Sequence, residues 1–66
     1  MKNVWTVKVE VRYRGASWDE GEVLTYRVLG NCKYQAPAER ARRLAIRDGA
    51  AAARPVHIER GERVDG

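Results

Sequence analysis

The sequence predicts an α+β domain: a three-stranded antiparallel sheet in the order 2-1-3, with one helix packed on one face and the chain order β-β-α-β. Three observations lead there. Trp5, Val7, Val9, Val11 and Tyr13 alternate with Thr6, Lys8, Glu10 and Arg12, the period of a strand with one buried face. The stretch "AERARRLAIR" at 38–47 spaces alanine and leucine at helical intervals among four arginines. Two shorter runs, "EVLTYRVL" and "PVHIER", are rich in strand formers and flank that helix.

Each element has a local reason. The first strand spans residues 3–13 and is long enough to lie at the centre of the sheet. "RGASWDEGE" follows as a hairpin loop punctuated by Gly15 and Gly21. The second strand takes 22–29, with Leu24, Tyr26 and Val28 toward the core and Val23, Thr25 and Arg27 away from it. Pro37 suits the first turn of a helix, where its missing N–H costs nothing, and Glu39 in that turn favours the dipole. The helix is expected over 37–48, stopped by Gly49. The alanines at 50–53 extend it by a ragged turn at most, because Pro55 forbids more. A third strand over 55–60 sets Val56 and Ile58 on one face, and 61–66 forms a turn and tail with room for a brief strand near Val64. A hairpin from strand one to two and a helical crossover from two to three give the order 2-1-3. The face away from the helix then carries Val4, Thr6, Lys8, Glu10, Arg12, Val23, Thr25, Arg27, His57 and Glu59. That surface is either solvated or meets a second subunit.

The 66 residues make one small domain, 1–66. So short a chain buries only about 60% of its unfolded surface, and its sheet edges are exposed, so a homodimer is among the expected states. The lone Cys32 cannot form an internal disulfide and suits a reducing compartment. The start "MKNVWTVKVEV" lacks the unbroken apolar run of a signal peptide, and no segment approaches the ~20 apolar residues of a membrane span. A soluble, cytoplasmic protein without a membrane partner is expected. Thirteen bases against nine acids give a net charge of +4, which leans toward acidic partners. Residues 14–22 hold one base and three acids, whereas 36–54 hold five bases and two acids, so an acidic end and a basic helix are expected.

Turning about 100° per residue, the helix sets Ala38, Ala41, Leu44, Ala45 and Ala52 on its sheet side. Arg40, Arg43 and Arg47 form a stripe on the opposite side, Arg42 lies at the margin, and Arg54 joins only if the helix passes Gly49. The stripe is either a solvated face, with Glu39 paired to Arg43, or an anion-binding contact for a protein or for nucleic acid. Nucleic acid calls for aromatics beside the charge. Of the five aromatics, Trp5, Tyr13 and Tyr26 fall on the covered face by parity, which leaves Trp18 and Tyr34 in loops. Trp18, at a hairpin tip among Asp19, Glu20 and Glu22, is a candidate interface anchor, or it folds back over the end of the core. Cys32 and His57 are the candidate nucleophile and base, but each stands alone and on a different element. There is no zinc or calcium ligand spacing and no phosphate-binding glycine loop. A non-enzymatic protein with no catalytic residue, cofactor or metal is expected. Arg40, Arg43, Arg47 and Trp18 are its partner-binding candidates.

The layout resembles a class of very small phage and mobile-element proteins. In these a long strand and hairpin precede an alanine-spaced helix opening with "-P-x-E-x-A-", then a short strand. Here those segments are "APAERARRLA" and "PVHIERGERV". Ala36 departs from the pattern, since such helices often carry a Ser, Thr or Asp cap there. Some anti-CRISPR proteins share this size and architecture. The resemblance implies a stoichiometric inhibitor in the host cytoplasm, binding a Cas protein or ribonucleoprotein through a charged face.

Overall fold

A computed structural model describes residues 2–30 and 35–64. Strand β1 (Lys2–Arg12) leads through one turn of 3-10 helix (Trp18–Glu20) to β2 (Glu22–Gly30). Helix α1 (Gln35–Arg47) and strand β3 (Ala52–Val64) complete the order β-β-α-β. The sheet runs β2-β1-β3 with both pairs antiparallel, the predicted α+β arrangement. β1 takes the centre because its odd-numbered row is apolar from Trp5 to Val11: Val7, Val9 and Val11 are fully buried and Trp5 nearly so. Opposite them on β2 stand Val28, Tyr26 and Leu24. The helix contributes only Pro37, Ala41 and Ala45 to the fully buried set, all small, so its backbone lies close to the sheet and the bulk of the core comes from the strands.

The helix starts at Gln35, two residues before the expected position. Pro37 is then the third helical residue, still among those whose N–H lacks an intrahelical acceptor. Its ring is fully buried. A Cβ on Gly30 would lie 3.2 Å from both Pro37 Cδ and Trp5 Cδ1, so the bare backbone at the end of β2 is what lets these two rings close over it. The early start also moves Glu39 past the first turn, where it acts through ion pairs and not through the dipole.

At the other end the helix closes on Gly49, as expected. Gly49 has φ +112°, its N–H donates to Ile46 O (3.1 Å), and Ala50 N–H reaches back to Ala45 O (3.1 Å). These two bonds form the Schellman arrangement that ends a helix on a left-handed residue. The alanines therefore do not prolong the helix. Ala50 is buried beneath the turn, Ala51 N–H donates to Arg12 O (2.8 Å), and Ala52 belongs to β3 opposite Arg12, not to the sheet side of the helix.

β3 covers 52–64, where 55–60 was expected, and absorbs most of the supposed tail. The residues that read as breaks are accommodated in the ladder. The register shifts between Lys8 and Val9, which leaves Val56 as an extra residue beside Pro55. Val56 is consequently exposed and does not share the buried face of Ile58. A second shift between Asn3 and Trp5 accommodates Gly61, where a Cβ would lie 2.7 Å from Val4 O. The long β1 supplies pairing partners from Arg12 to Lys2, and this favours extending β3 over releasing it as a tail.

Candidate functional site

α1 rests on the odd-numbered side of β1 and leaves the other side of the sheet bare. Two charged surfaces result, one on each face of the molecule. On the outer side of α1, Arg40, Arg43 and Arg47 line up as their spacing requires. Arg43 and Arg47 keep 76% and 73% of their side-chain surface in solvent. Each guanidinium of the stripe also has a neighbour in its own chain. Arg40 Nη1 donates to Leu29 O (2.9 Å), a neutral acceptor that leaves the charge uncompensated. Arg43 Nε donates to Glu39 Oε1 at 3.2 Å, and Arg47 Nε lies 3.6 Å from Asp48 Oδ1.

Glu39 is held more firmly by Arg42, through Nε to Oε2 (2.9 Å) and Nη2 to Oε1 (2.7 Å). That two-pronged bond is the main reason the Glu39 carboxyl titrates at about 2, with the charges of Arg42 and Arg43 adding to it. The same bond raises the Arg42 pKa. With four arginines set against Glu39 and the adjoining Asp48, the helix stays basic, and Arg40 is its least compensated cation.

Trp18 is on the opposite side of the molecule from this stripe. The guanidinium carbon of Arg54 lies 4.1 Å from the centroid of its ring, and that of Arg12 5.8 Å. Arg54 is held by Glu10 opposite it on β1, through Nε (2.9 Å) and Nη2 to the same carboxylate oxygen. Arg12 Nη1 also donates to Ala16 O (3.3 Å), which fastens the loop that carries the tryptophan. Trp18 is thus half-buried over one end of the bare face, on a cation–π seat worth about 0.5–1 kcal/mol at an exposed site. Alternation along β1 is enough to put Glu10 and Arg12 on this face, whereas Arg54 joins them only because the bulge at Val56 resets the facing of β3. Arg54 does not extend the helical stripe.

His57 is exposed on β3 opposite Lys8, its Nε2 3.9 Å from a Glu59 oxygen. Cys32 and Tyr34 lie outside the described residues. Among the described residues no group of three or more His, Cys, Asp or Glu side chains converges as metal ligands do. Among these same residues no helix is long and apolar enough to cross a membrane. Tyr13 and Tyr26, half-buried at the margin of the core, satisfy their hydroxyls on Glu22 Oε1 (2.6 Å) and Asp48 Oδ2 (2.8 Å). The bond to Glu22 chiefly raises the Tyr13 pKa, and burial chiefly raises that of Tyr26. Comparison of the chain with protein-family models, curated proteins and solved structures finds no match.

Proposed function

We propose that this chain is a small non-catalytic binding protein, a phage-type inhibitor of the anti-CRISPR kind. It docks the outer face of α1 on an acidic surface of a Cas protein or ribonucleoprotein in the host cytoplasm. The observation that carries the reading is the row of exposed arginines at Arg40, Arg43 and Arg47 on a helix anchored from beneath by Ala41 and Ala45. A rigid helix presents charge at fixed spacing with little ordering cost on binding. Arginine suits such contacts because its planar fork meets carboxylates and phosphates in pairs. Trp18 belongs to the other face and is engaged by Arg54, and Tyr26, which shares Asp48 with Arg47, packs half-buried against the core, so among the described residues neither gives the stripe a free ring on which a base would stack. This favours a protein surface over a dedicated nucleic-acid site.

The test is protection of an invading phage or plasmid in cells with an active CRISPR system. The wild-type chain protects, and Arg40→Glu combined with Arg43→Glu does not, while its circular dichroism and melting stay those of the parent. Equal protection by the double variant, or none by the wild type against any system tried, removes the reading. A salt titration on duplex DNA separates the nucleic-acid alternative: three arginines on phosphates give a log–log slope of about −3.

A further inference from the structure

The two outer edges of the sheet differ in kind. The edge formed by β3 carries Pro55, two register shifts and the charges of Arg54, Glu59, Arg60, Glu62 and Arg63. All of these discourage a further strand. The edge formed by β2 has no proline and no register shift, and its charged side chains are only Glu22 and Arg27. It is a strand of 9 residues in unbroken register with β1, without proline, and Val23 and Leu29 leave 53% and 42% of their surface exposed.

Backbone parity shows which groups this edge offers. The carbonyl of Arg12 points to the β3 side, where Ala51 N–H takes it, and that of Val4 points to Gly61. The carbonyl of Val11 points the other way, toward Gly21 at the start of β2. Odd residues of β1 therefore bond to β2, and their partners on β2 are the even ones, Glu22 to Gly30. The odd residues Val23, Thr25, Arg27 and Leu29 turn their N–H and C=O groups outward. The Arg40 guanidinium on Leu29 O agrees with this, and it leaves that oxygen a second lone pair.

We infer that the outer edge of β2 pairs with the same edge of a second copy of this chain, antiparallel, about a two-fold axis at Tyr26. The sequence of β2 is self-complementary in that register. Val23 stands opposite Leu29 of the partner subunit on the bare face, and Leu24 opposite Val28 of the partner subunit on the helix face. Thr25 faces Arg27 of the partner subunit, and the two Tyr26 side chains meet at the axis. The outward odd residues meet as hydrogen-bonded pairs, so the backbone groups of Val23, Thr25, Arg27 and Leu29 are all satisfied. Apolar and aromatic cross-strand pairs are the favourable ones, and this register makes them without a bulge. The result is a continuous six-stranded sheet with both helices on one side. The two β1 strands lie about 14 Å apart, three strand spacings, which leaves the helices clear of each other.

The experiment uses the full chain in sedimentation velocity over a concentration series. The wild type is expected to reach the mass of two chains. Thr25→Pro removes an outward N–H at a position where an edge strand tolerates proline, and weakens the dimer by about 30-fold through the loss of one bond in each copy. Val23→Lys, at an exposed site, weakens it similarly with the far-ultraviolet circular dichroism unchanged. Register is tested by Val23→Cys with Leu29→Cys in a Cys32→Ser background. The two positions are about 20 Å apart along one strand, so a disulfide forms only between copies. Oxidation is expected to cross-link the double variant and neither single one. A wild type that stays monomeric throughout, a dimer that both edge variants leave intact, or a double-cysteine chain that does not cross-link overturns the inference.

Discussion

Two glycines carry much of the local geometry, for different reasons. Gly49 has the left-handed φ that closes α1, and an L side chain there costs about 1–2 kcal/mol. Gly49→Ala is expected to lower the melting temperature by several degrees while the fold persists, which calorimetry checks. Gly21 has an ordinary φ, but a Cβ on it would stand 1.9 Å from Val11 O. Gly21→Ala must push the loop off β1 and should cost about 1–3 kcal/mol, the scale of overpacking. Because the loop carries Trp18, indole fluorescence should shift along with stability. Glu39 supplies the pH-dependent contact. Its folded pKa of about 2 lies below its ordinary value, so the fold favours the carboxylate. The associated stability is present above about pH 4.5 and fades as the pH falls toward 2. Urea midpoints of the wild type and Glu39→Gln, followed from neutral to acid pH, should converge over that window.

Among the elements, α1 depends on closeness. Ala41 and Ala45 have no exposed surface against a sheet whose central row is valine. Ala45→Leu inserts three carbons with nowhere to go and should destabilise by about 1–3 kcal/mol. Ile46→Ala, one residue on and 38% exposed, should stay within about 0.5–1 kcal/mol. A denaturant series on the two variants checks the contrast. The reading of α1 as amphipathic was legible in the sequence because one chain segment contains the whole pattern. Its start was not, since Gln35 and Ala36 carry no capping signal and the helix is fixed there by Pro37 packing over Gly30. The length of β3 was hidden for a related reason. Pro55 and Gly61 read as breaks along the chain, yet a bulge accommodates each once β1 is beside them.

Across the whole molecule, the shape follows from β3. Its 13 residues, at about 3.3 Å each, span the 42 Å long axis. The radius of gyration of 12.4 Å exceeds the roughly 11 Å of a compact chain of this size. A helix of 13 residues covers only part of one side of such a sheet. What remains is a bare face seated by Trp18, a basic face on α1 and an open edge at β2. The last two respond oppositely to salt. Two chains of net charge +4 repel one another, so added salt should tighten the β2–β2 pairing. The same salt should weaken the contact of Arg40, Arg43 and Arg47 with an acidic partner. Measuring both at low and high ionic strength separates the two surfaces in one protein.

The sequence by itself determined the facing of β1 and β2, the sheet order, the closing glycine of α1 and the stripe of three arginines. Each of these rests on spacings of two to four residues or on single residues with fixed backbone demands. Tertiary structure alone decided where Trp18, Arg54 and Glu39 spend their interactions. Arg54 and Glu10 are 44 residues apart in the chain, and they meet only because a bulge beside Pro55 sets their register. Glu39 had two arginines in helical reach, and geometry gave Arg42 the stronger hold while Arg43 stayed exposed. Periodicity records which way a side chain points; which distant residue it meets depends on strand pairing, and that is settled only when the sheet closes.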